Sequence, residues 1–390
     1  MTAALQIDRE DDLDHGVVHS DPDCYSAHPH LAVAADGTWL LVFTQAPRRP
    51  VVLHPPLDPA FRNMMMRSDD EGRTWSAPEP VPDAGWTGVE CSGLTPLPDG
   101  GVILNQWQFG WVHPDTDPTG HEHFVAPPAL ARLRAQSLEF MGLYPNDPPK
   151  DLLAHFPKAR RGGQCWIHRA PSPSAPFGAS VEIDTWPFSG GYGMRGGVVL
   201  ADGTILLPLC DVPHYRAVFV VRSTDGGQTW SAPQIVAEAG DQEFEEPAPV
   251  LLPDGRILLM LRENATRRLH AVWSNDGGRS WSPPLDTGIA EYPADIIVLA
   301  DGRLAMAAGR RHPPFGVALY LSDTGGEQWE ASLTVRDDLP NRDLGYPSIA
   351  ERANGDLHVV YYGRDTSGAT SILSTTVPRA WLGTRDRHDG

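Results

Sequence analysis

The sequence predicts an all-β fold, a six-bladed β-propeller with four-stranded antiparallel blades, and two repeats predict it. In the first repeat, an apolar strand enters an Asp-Gly or Asn-Gly turn and a second apolar strand leaves it. Such dipeptides are the preferred centres of two-residue hairpins because both central residues must reach positive φ. This hairpin occurs six times, with turn glycines at Gly37, Gly100, Gly203, Gly255, Gly302 and Gly355. The second repeat is an eight-residue turn, found as SDDEGRTW (68–75), STDGGQTW (223–230), SNDGGRSW (274–281) and, less regularly, SDTGGEQW (322–329).

The spacing of the hairpins matches one four-stranded blade per hairpin. The last three intervals between turn glycines are 52, 47 and 53 residues, about the length of one propeller blade. The hairpin supplies the first two strands of a unit, a segment such as NMMMRS or ALYLS the third, and the residues after the eight-residue turn the fourth. The second unit lacks that turn, and there QCWIHRA (164–170) and ASVEI (179–183) are expected as outer strands. The sixth unit ends after ATSILSTTV, so the segment around LQIDRED (5–11) is expected to close the ring.

The composition agrees with one propeller domain over residues 1–390. The chain is 41% hydrophobic and 21% charged, and its 38 glycines and 38 prolines favour short strands joined by tight turns. The formal net charge of −19 argues against nucleic acid or an anionic membrane surface as partner, since both require clustered Lys and Arg. Four cysteines without CxxC spacing indicate reduced thiols and neither a disulfide framework nor a zinc site.

The N-terminal sequence MTAALQIDREDDLDHG has neither a basic n-region nor an apolar h-region. No apolar run approaches the roughly 20 residues that span a bilayer. These features predict a cytoplasmic protein, and the sequence predicts no metal and no cofactor.

The order of strands separates the two faces of the ring. The Asp-Gly turns and the eight-residue turns lie on one face, whereas the starts of the first strands and the ends of the second strands lie on the other, here called the mouth. We expect the eight-residue turn to be architectural, because its Asp can accept backbone N–H groups and its Trp can pack between blades. Calcium binding is the alternative, but one or two carboxylates per turn make a poor oxygen cage.

The residues expected at the mouth are carboxylates, tyrosine, arginines and histidines, which suit acid–base chemistry and the binding of a carboxylate or a sugar. Each could instead form a rim salt bridge or cap a strand. The candidates are His28, His30, Glu90, Arg195, Glu246, Asp295 and Tyr346 before or in the first strands, and Arg262, Arg310 and Arg311 at the ends of the second strands.

The six hairpins and the repeated turns, known as Asp boxes, resemble the sialidase (neuraminidase) superfamily over nearly the whole chain outside roughly 109–163. This resemblance implies a tyrosine nucleophile at Tyr346, in LGYPSIAERANGD, polarised by Glu246, in EEPAPVLLPDGRILLMLR. A tyrosine with a pKa of about 10 needs such a neighbouring carboxylate to draw its proton. The resemblance further implies that Arg262 and Arg311, or its neighbour Arg310, clamp a substrate carboxylate.

Two features depart from the sialidase pattern. Sialidases open the first blade with an Arg-Ile-Pro segment that supplies the first arginine of the triad, whereas SAHPHL here offers His28 and His30. The expected general-acid aspartate has no clear counterpart, and Asp58 in HPPLDPAF is the best candidate. The histidines suggest different chemistry, with His28 as a general acid or base acting on another acidic sugar.

An insertion of approximately 109–163 is expected on the mouth face. The aromatic side chains of Trp107, Phe109 and Trp111 could stack on a sugar ring, with Trp107 as the substrate-binding candidate. His113, His121 and His123 offer only weak evidence for a metal site. The insertion is either a lid or wall of the site or a contact in a homo-oligomer.

The sequence thus favours a sialidase-like glycoside hydrolase whose partner is a small-molecule carbohydrate, an acidic or deoxy sugar glycoside bound at the mouth. One alternative is a lyase that abstracts the proton α to the carboxylate of a uronate-containing sugar. The other is a non-catalytic carbohydrate-binding propeller.

Overall fold

A computed structural model describes residues 13–48, 60–82, 88–112, 159–212, 215–238, 240, 242–330 and 333–383, with only the backbone at 88–91, 109–112 and 159–162. In this part of the chain, 25 strands form six antiparallel sheets. The strands of the first half are β1 Asp14–His19, β2 Cys24–Val33, β3 Trp39–Pro47, β4 Arg62–Ser68, β5 Glu79–Pro80, β6 Gly88–Pro96, β7 Val102–Val112, β8 Ala159–Ala170, β9 Val181–Glu182, β10 Gly191–Tyr192, β11 Val198–Val199, β12 Ile205–Asp211, β13 Ala217–Ser223 and β14 Gln234–Glu238. The others are β15 Phe244–Leu251, β16 Ile257–Glu263, β17 Arg268–Ser274, β18 Leu285–Asp286, β19 Ala294–Val298, β20 Leu304–Arg310, β21 Gly316–Ser322, β22 Leu333–Arg336, β23 Gly345–Glu351, β24 Leu357–Arg364 and β25 Thr370–Val377. A short 3₁₀ turn, Arg379–Leu382, follows the last strand.

These sheets are the six predicted blades. Blades 1 and 2 are β2–β5 and β6–β9, blade 3 contains β10–β14, and blades 4 and 5 are β15–β18 and β19–β22. In blade 3 the innermost strand is split into β10 and β11, which both pair with β12. The second blade uses the predicted segments for its outer strands, β8 and β9.

The ring closes through the N-terminal segment, as predicted, but with a different strand. Blade 6 runs in the order β23, β24, β25, β1, and Asp14 of β1 pairs with Thr376 of β25. The sequence predicts this strand around LQIDRED (5–11), whereas the strand that closes the ring begins at Asp14. The observed position leaves only residues 20–23 to reach β2, so the chain passes directly from the last blade to the first.

Apolar side chains fill the spaces between neighbouring blades. One cluster joins Phe43, Leu259 and Tyr346, and a second joins Leu319 and Val359. Backbones also approach closely at the centre, where a Cβ atom on Gly196 would lie 2.0 Å from the carbonyl oxygen of Leu94. No helix in the described residues is long and apolar enough to cross a bilayer.

The Asp boxes bind their own backbone. In the second box the carboxylate of Asp225 accepts the N–H of Gln228 at 3.0 Å and both the N–H and the hydroxyl of Thr229, at 2.9 and 2.6 Å. The Ser223 hydroxyl donates to the same carboxylate at 2.8 Å. These hydrogen bonds lower the pKa of Asp225 to about 2, the hydroxyl of Thr229 having the largest effect. In the irregular fourth box Thr324 takes the place of the aspartate and accepts the N–H of Gln328 at 2.8 Å.

Replacing Asp225 with alanine is expected to lower the melting temperature at about pH 7 without changing activity. Because the folded-state pKa lies below the ordinary value of 3.8, the carboxylate stabilises the fold above about pH 4 and loses that effect as the pH falls toward 2. The difference from the wild type should therefore close over this range when thermal unfolding is followed by circular dichroism. Asp225→Thr copies the fourth box and should fall between the two. Equal melting temperatures for Asp225→Ala and the wild type at pH 7 would contradict this account of the turn.

Candidate active site

Three first strands carry the same backbone irregularity at the mouth. His28 in β2, Glu246 in β15 and Tyr346 in β23 have φ angles of 53°, 53° and 46°. At each position the register shifts by a bulge, and each residue precedes a proline. The proline has no N–H, so the interrupted ladder leaves one fewer unpaired donor. Positive φ at a non-glycine residue is strained and persists where surrounding structure enforces it, often at functional sites.

The bulges bring Tyr346 and Glu246 into contact across the ring. The Tyr346 hydroxyl donates a short hydrogen bond to Oε1 of Glu246. The other carboxylate oxygen of Glu246 accepts from Nη1 of Arg262 at 3.0 Å. Glu246 and Tyr346 are only 3% and 4% exposed, so water competes little for these bonds and the pair is held in one geometry.

Arg262 lies between two consecutive carboxylates. Its Nε is 3.1 Å from Oε1 of Glu245, while its Nη1 binds Glu246. Neighbours in a regular strand point to opposite faces, and the bulge at Glu246 allows both side chains to reach one guanidinium. Burial raises the pKa of Glu245, whereas for Arg262 the two carboxylates outweigh burial and raise the pKa well above its usual value. Arg262 also lies over the ring of Tyr292, 4.8 Å from its centroid.

Arg311 and His28 flank the ring of Tyr346. The guanidinium carbon of Arg311 lies 5.1 Å from the centroid of that ring, and its Nη2 donates to the carbonyl of Leu344 at 3.1 Å. The ring of His28 meets Tyr346 edge to face at a centroid distance of 4.4 Å. Glu246, Tyr346, Arg262, Arg311 and His28 therefore form one group from four blades, here called the mouth cluster.

Arg195, His30 and Asp295 are also brought together, but in a separate axial network. Arg195 is 1% exposed, and its guanidinium donates to the carbonyls of Pro29, Ala294 and Pro347 at 3.1, 3.2 and 2.8 Å. Its Nε also lies 3.7 Å from Oδ1 of Asp295. The sequence placed these residues at the mouth as substrate ligands, whereas the structure uses Arg195 to join the innermost strands of several blades.

The rest of the axial network binds backbone as well. Oδ2 of Asp295 accepts from the Ser348 hydroxyl at 2.6 Å and from the N–H of Ile349 at 3.1 Å. Nδ1 of His30 accepts the N–H of Leu94 at 2.9 Å, and burial lowers the pKa of this histidine to about 4. His30 and Ser348 lie two residues after His28 and Tyr346, so the network sits about 6–7 Å deeper along the strands.

A cavity of about 560 Å³ follows the ring axis from this network toward the hairpin turns. It is lined by first-strand residues such as Val33, Ile297 and Glu351, together with the three residues of the axial network. Glu246, Tyr346 and Arg262 do not line it. The axial network thus separates the mouth cluster from the cavity.

The remaining candidates lie outside the mouth cluster or beyond the described side chains. Arg310 contacts Oε1 of Glu291 at 3.4 Å, and Tyr320 donates to the other oxygen of that carboxylate at 2.7 Å. Trp107 is buried and packs on Tyr192 at a centroid distance of 5.1 Å. Only the backbone of Glu90 is described, opposite Trp107. Asp58, His113, His121, His123 and most of the insertion lie outside the described residues.

Sequence reasoning missed two buried residues beside the mouth cluster. Tyr362, in β24, packs its ring against His28 and Tyr346 at centroid distances of 5.2 and 6.0 Å. Its hydroxyl donates to Asp343 at 3.0 Å. A repeated sequence pattern marks the bulges. His28, Glu246 and Tyr346 are each followed by a proline, and each stands nine residues before a turn glycine. No comparable signal marks Asp343. Among the described residues, no group of three or more His, Cys, Asp or Glu side chains could hold a metal ion.

Comparisons with known proteins agree with this architecture. Residues 184–359 match the family described as a BNR repeat-like domain. A sialidase from Micromonospora viridifaciens is 27% identical over 270 residues, which cover 65% of this chain and 35% of that protein. The chain thus spans about a third of the length of this curated relative.

Two solved structures share the fold over nearly their whole length. A protein of unknown function from Dyadobacter fermentans superposes with a TM-score of 0.77 at 19% identity, covering 93% of this chain and 97% of that one. The intramolecular trans-sialidase from Ruminococcus gnavus, in complex with oseltamivir carboxylate, gives 0.65 at 14% identity, with 95% and 98% covered.

The chain is a six-bladed β-propeller with Asp-box turns. It is similar in sequence to a BNR repeat-like domain over residues 184–359 and to a sialidase over 270 residues, and it shares its fold with the intramolecular trans-sialidase.

Proposed function

We propose that the protein is a sialidase-like glycoside hydrolase that cleaves a small acidic or deoxy sugar glycoside at the mouth cluster. The hydrogen bond from the phenol of Tyr346 to the carboxylate of Glu246 carries this proposal. A phenol is a poor nucleophile until a base removes its proton, and Glu246 is in direct contact with that proton. A neutral tyrosine also avoids the repulsion that a carboxylate nucleophile would meet from an anionic sugar.

The reaction would proceed in two displacements. Glu246 accepts the phenol proton while the Tyr346 oxygen bonds to the anomeric carbon, and the glycosidic bond breaks toward the leaving oxygen. A general acid, with His28 or Asp58 as candidates, protonates that oxygen. Water deprotonated by the same group then attacks the anomeric carbon, the Tyr346–carbon bond breaks, and the proton returns from Glu246 to the phenol oxygen. Two inversions at one carbon give retention of the anomeric configuration.

The arginines of the mouth cluster suit an anionic substituent on the sugar. Arg262 forms ion pairs with Glu246 through Nη1 and with Glu245 through Nε, so two of its three guanidinium nitrogens contact carboxylates. The guanidinium carbon of Arg311 lies 5.1 Å from the centroid of the Tyr346 ring. A planar guanidinium binds a carboxylate through two parallel hydrogen bonds, so the pair would orient an acidic sugar over the tyrosine.

Replacing Glu246 with glutamine is expected to lower kcat by roughly 10²–10⁴-fold, because the amide fills the same space but cannot act as a base. The measurement is a screen of sialosides, uronides and deoxy-sugar glycosides read by product mass, followed by kinetics on the best substrate. Glu245→Gln is the matched control, since Glu245 contacts the same arginine at 3.1 Å, and it should retain far more activity. Turnover near the wild-type rate in Glu246→Gln would exclude Glu246 as the base.

The contact between His28 and Tyr346 favours a lyase as the second candidate. In that reaction one of the two residues removes the proton α to a uronate carboxylate and the other protonates the leaving oxygen, so a double bond forms in the sugar. Product analysis separates the candidates, because an unsaturated uronate absorbs in the ultraviolet and the product of hydrolysis does not. Binding without any turnover, unchanged in Glu246→Gln, would instead support a carbohydrate-binding propeller.

A further inference from the structure

Asp343 is a buried carboxylate that connects the first and last blades beside the mouth cluster. It lies in the segment that leads into β23 and is 3% exposed. Its Oδ1 accepts two phenol hydrogen bonds, from Tyr25 of β2 and from Tyr362 of β24, each at 3.0 Å. One oxygen atom thus fixes two aromatic side chains on either side of the ring closure.

Tyr362 extends this connection to the mouth cluster. Its ring contacts those of His28 and Tyr346, and its backbone lies opposite Gly345, next to the strained Tyr346. Rotation about the last side-chain bond of a tyrosine is only weakly restricted by its own geometry. The hydrogen bond to Asp343 instead fixes the position of the phenol oxygen, and with it the direction in which the Tyr362 ring extends beside the other two rings.

The ionised form of Asp343 lowers the stability of the folded protein. Burial raises its pKa from 3.8 to about 6, against the opposing effects of the Tyr25 and Tyr362 hydroxyls and of Arg311. Because the folded-state pKa is above the unfolded one, stability decreases as the pH rises from about 4 to 6 and the carboxyl ionises inside the protein. A buried charge kept at a cost in stability is typical of groups retained for function.

We propose that Asp343 is a positioning residue that holds Tyr362, and through it His28 and Tyr346, in the arrangement needed for reaction. This inference rests on the proposed function, in which Tyr346 reacts. In this proposal Asp343 does not touch the sugar and acts through its hydrogen bond to Tyr362.

The test uses D343N and Y362F, with Y361F as the matched control. Asn has the shape of Asp without its charge, and Phe removes only the hydroxyl. Tyr361 is the adjacent buried tyrosine of β24, and its hydroxyl bonds Thr375 at 2.7 Å within a different core cluster. We expect D343N and Y362F to lose roughly 10- to 100-fold in kcat, as misplaced reacting groups do, with a smaller change in KM. Y361F should keep the wild-type kcat.

The kcat of D343N, measured beside its stability, separates positioning from a merely structural role. The melting temperature of D343N minus that of the wild type should increase between about pH 4 and 7 for either role, since the variant has no carboxyl to ionise. If Asp343 were only a structural hydrogen-bond acceptor, folded D343N would keep the wild-type kcat. That result would overturn the proposal.

A measurement without substrate keeps the test independent of the proposed function. In protein labelled with ¹³C at the tyrosine Cζ, the Tyr346 resonance is assigned by its loss in Y346F. It should shift in D343N and Y362F and stay in place in Y361F, and an unmoved resonance in D343N overturns the proposal. Full activity in Y346F would refute the proposed function, and the resonance would still decide whether Asp343 positions the ring.

Discussion

Replacing Tyr346 with phenylalanine is expected to lower kcat/KM by roughly 10³-fold or more, since it removes the hydroxyl that the proposed function uses as the nucleophile. The fold should survive, because the substitution keeps the ring that packs on His28 and Tyr362. Glu246 also keeps its contact with Arg262. Kinetics on a glycoside with a good leaving group, together with the melting temperature, measure both expectations.

The covalent intermediate gives a direct check. A slowly hydrolysed glycoside should add the mass of one sugar to the peptide that contains Tyr346 in the wild-type protein and not in Tyr346→Phe. Tyr361→Phe serves as the control, because it removes a buried hydroxyl whose partners are Thr375 and Arg336. A variant at Tyr346 with wild-type kcat/KM, or a sugar adduct on another residue, would exclude the tyrosine as nucleophile.

Replacing Arg195 with methionine is expected to lower the free energy of unfolding by about 3–5 kcal/mol, the cost of breaking a buried ion pair by removing one partner. Methionine fills much of the volume, but the carbonyls of Pro29, Ala294 and Pro347 lose their donors. Asp295 loses the nearby positive charge as well. Unsatisfied buried acceptors are costly because water cannot replace the lost partner.

Urea unfolding measures this loss, with Arg256→Met as the control. Arg256 also contacts carboxylates, Asp254 and Glu327, but on the surface. Exposed ion pairs contribute about 0–1 kcal/mol, so the control should stay near the wild type. An Arg195→Met protein as stable as the control would show that the fold does not depend on the axial network. Arg195 would then be a candidate for binding the substrate, as the sequence predicts.

The blades could be predicted from sequence because each depends on local signals. The hairpin turns form within a few residues, although their loops differ from the two-residue turns expected: Gly37 has positive φ and its N–H donates to the carbonyl of Ala34, which makes a three-residue loop of 35–37. The polar residues of the Asp box bind the backbone of the same turn, as Asp225 does. Blade number and the orientation of the two faces follow from the order of such units. The pairing of Glu246 with Tyr346 could be predicted only from the resemblance to sialidases, because the two residues are 100 positions apart in the chain and no local signal connects them.

The sequence by itself therefore determined the all-β propeller, its six blades and the face on which the polar groups converge. Only the tertiary structure decided which of those groups meet. It placed Arg195, His30 and Asp295 in the axial network, assembled Glu246, Tyr346, Arg262, Arg311 and His28 at the mouth, and brought Asp343 behind them. The physical reason is that hairpins and boxes are formed within a few residues, whereas these contacts depend on bulges that redirect single side chains and on the closure of the ring.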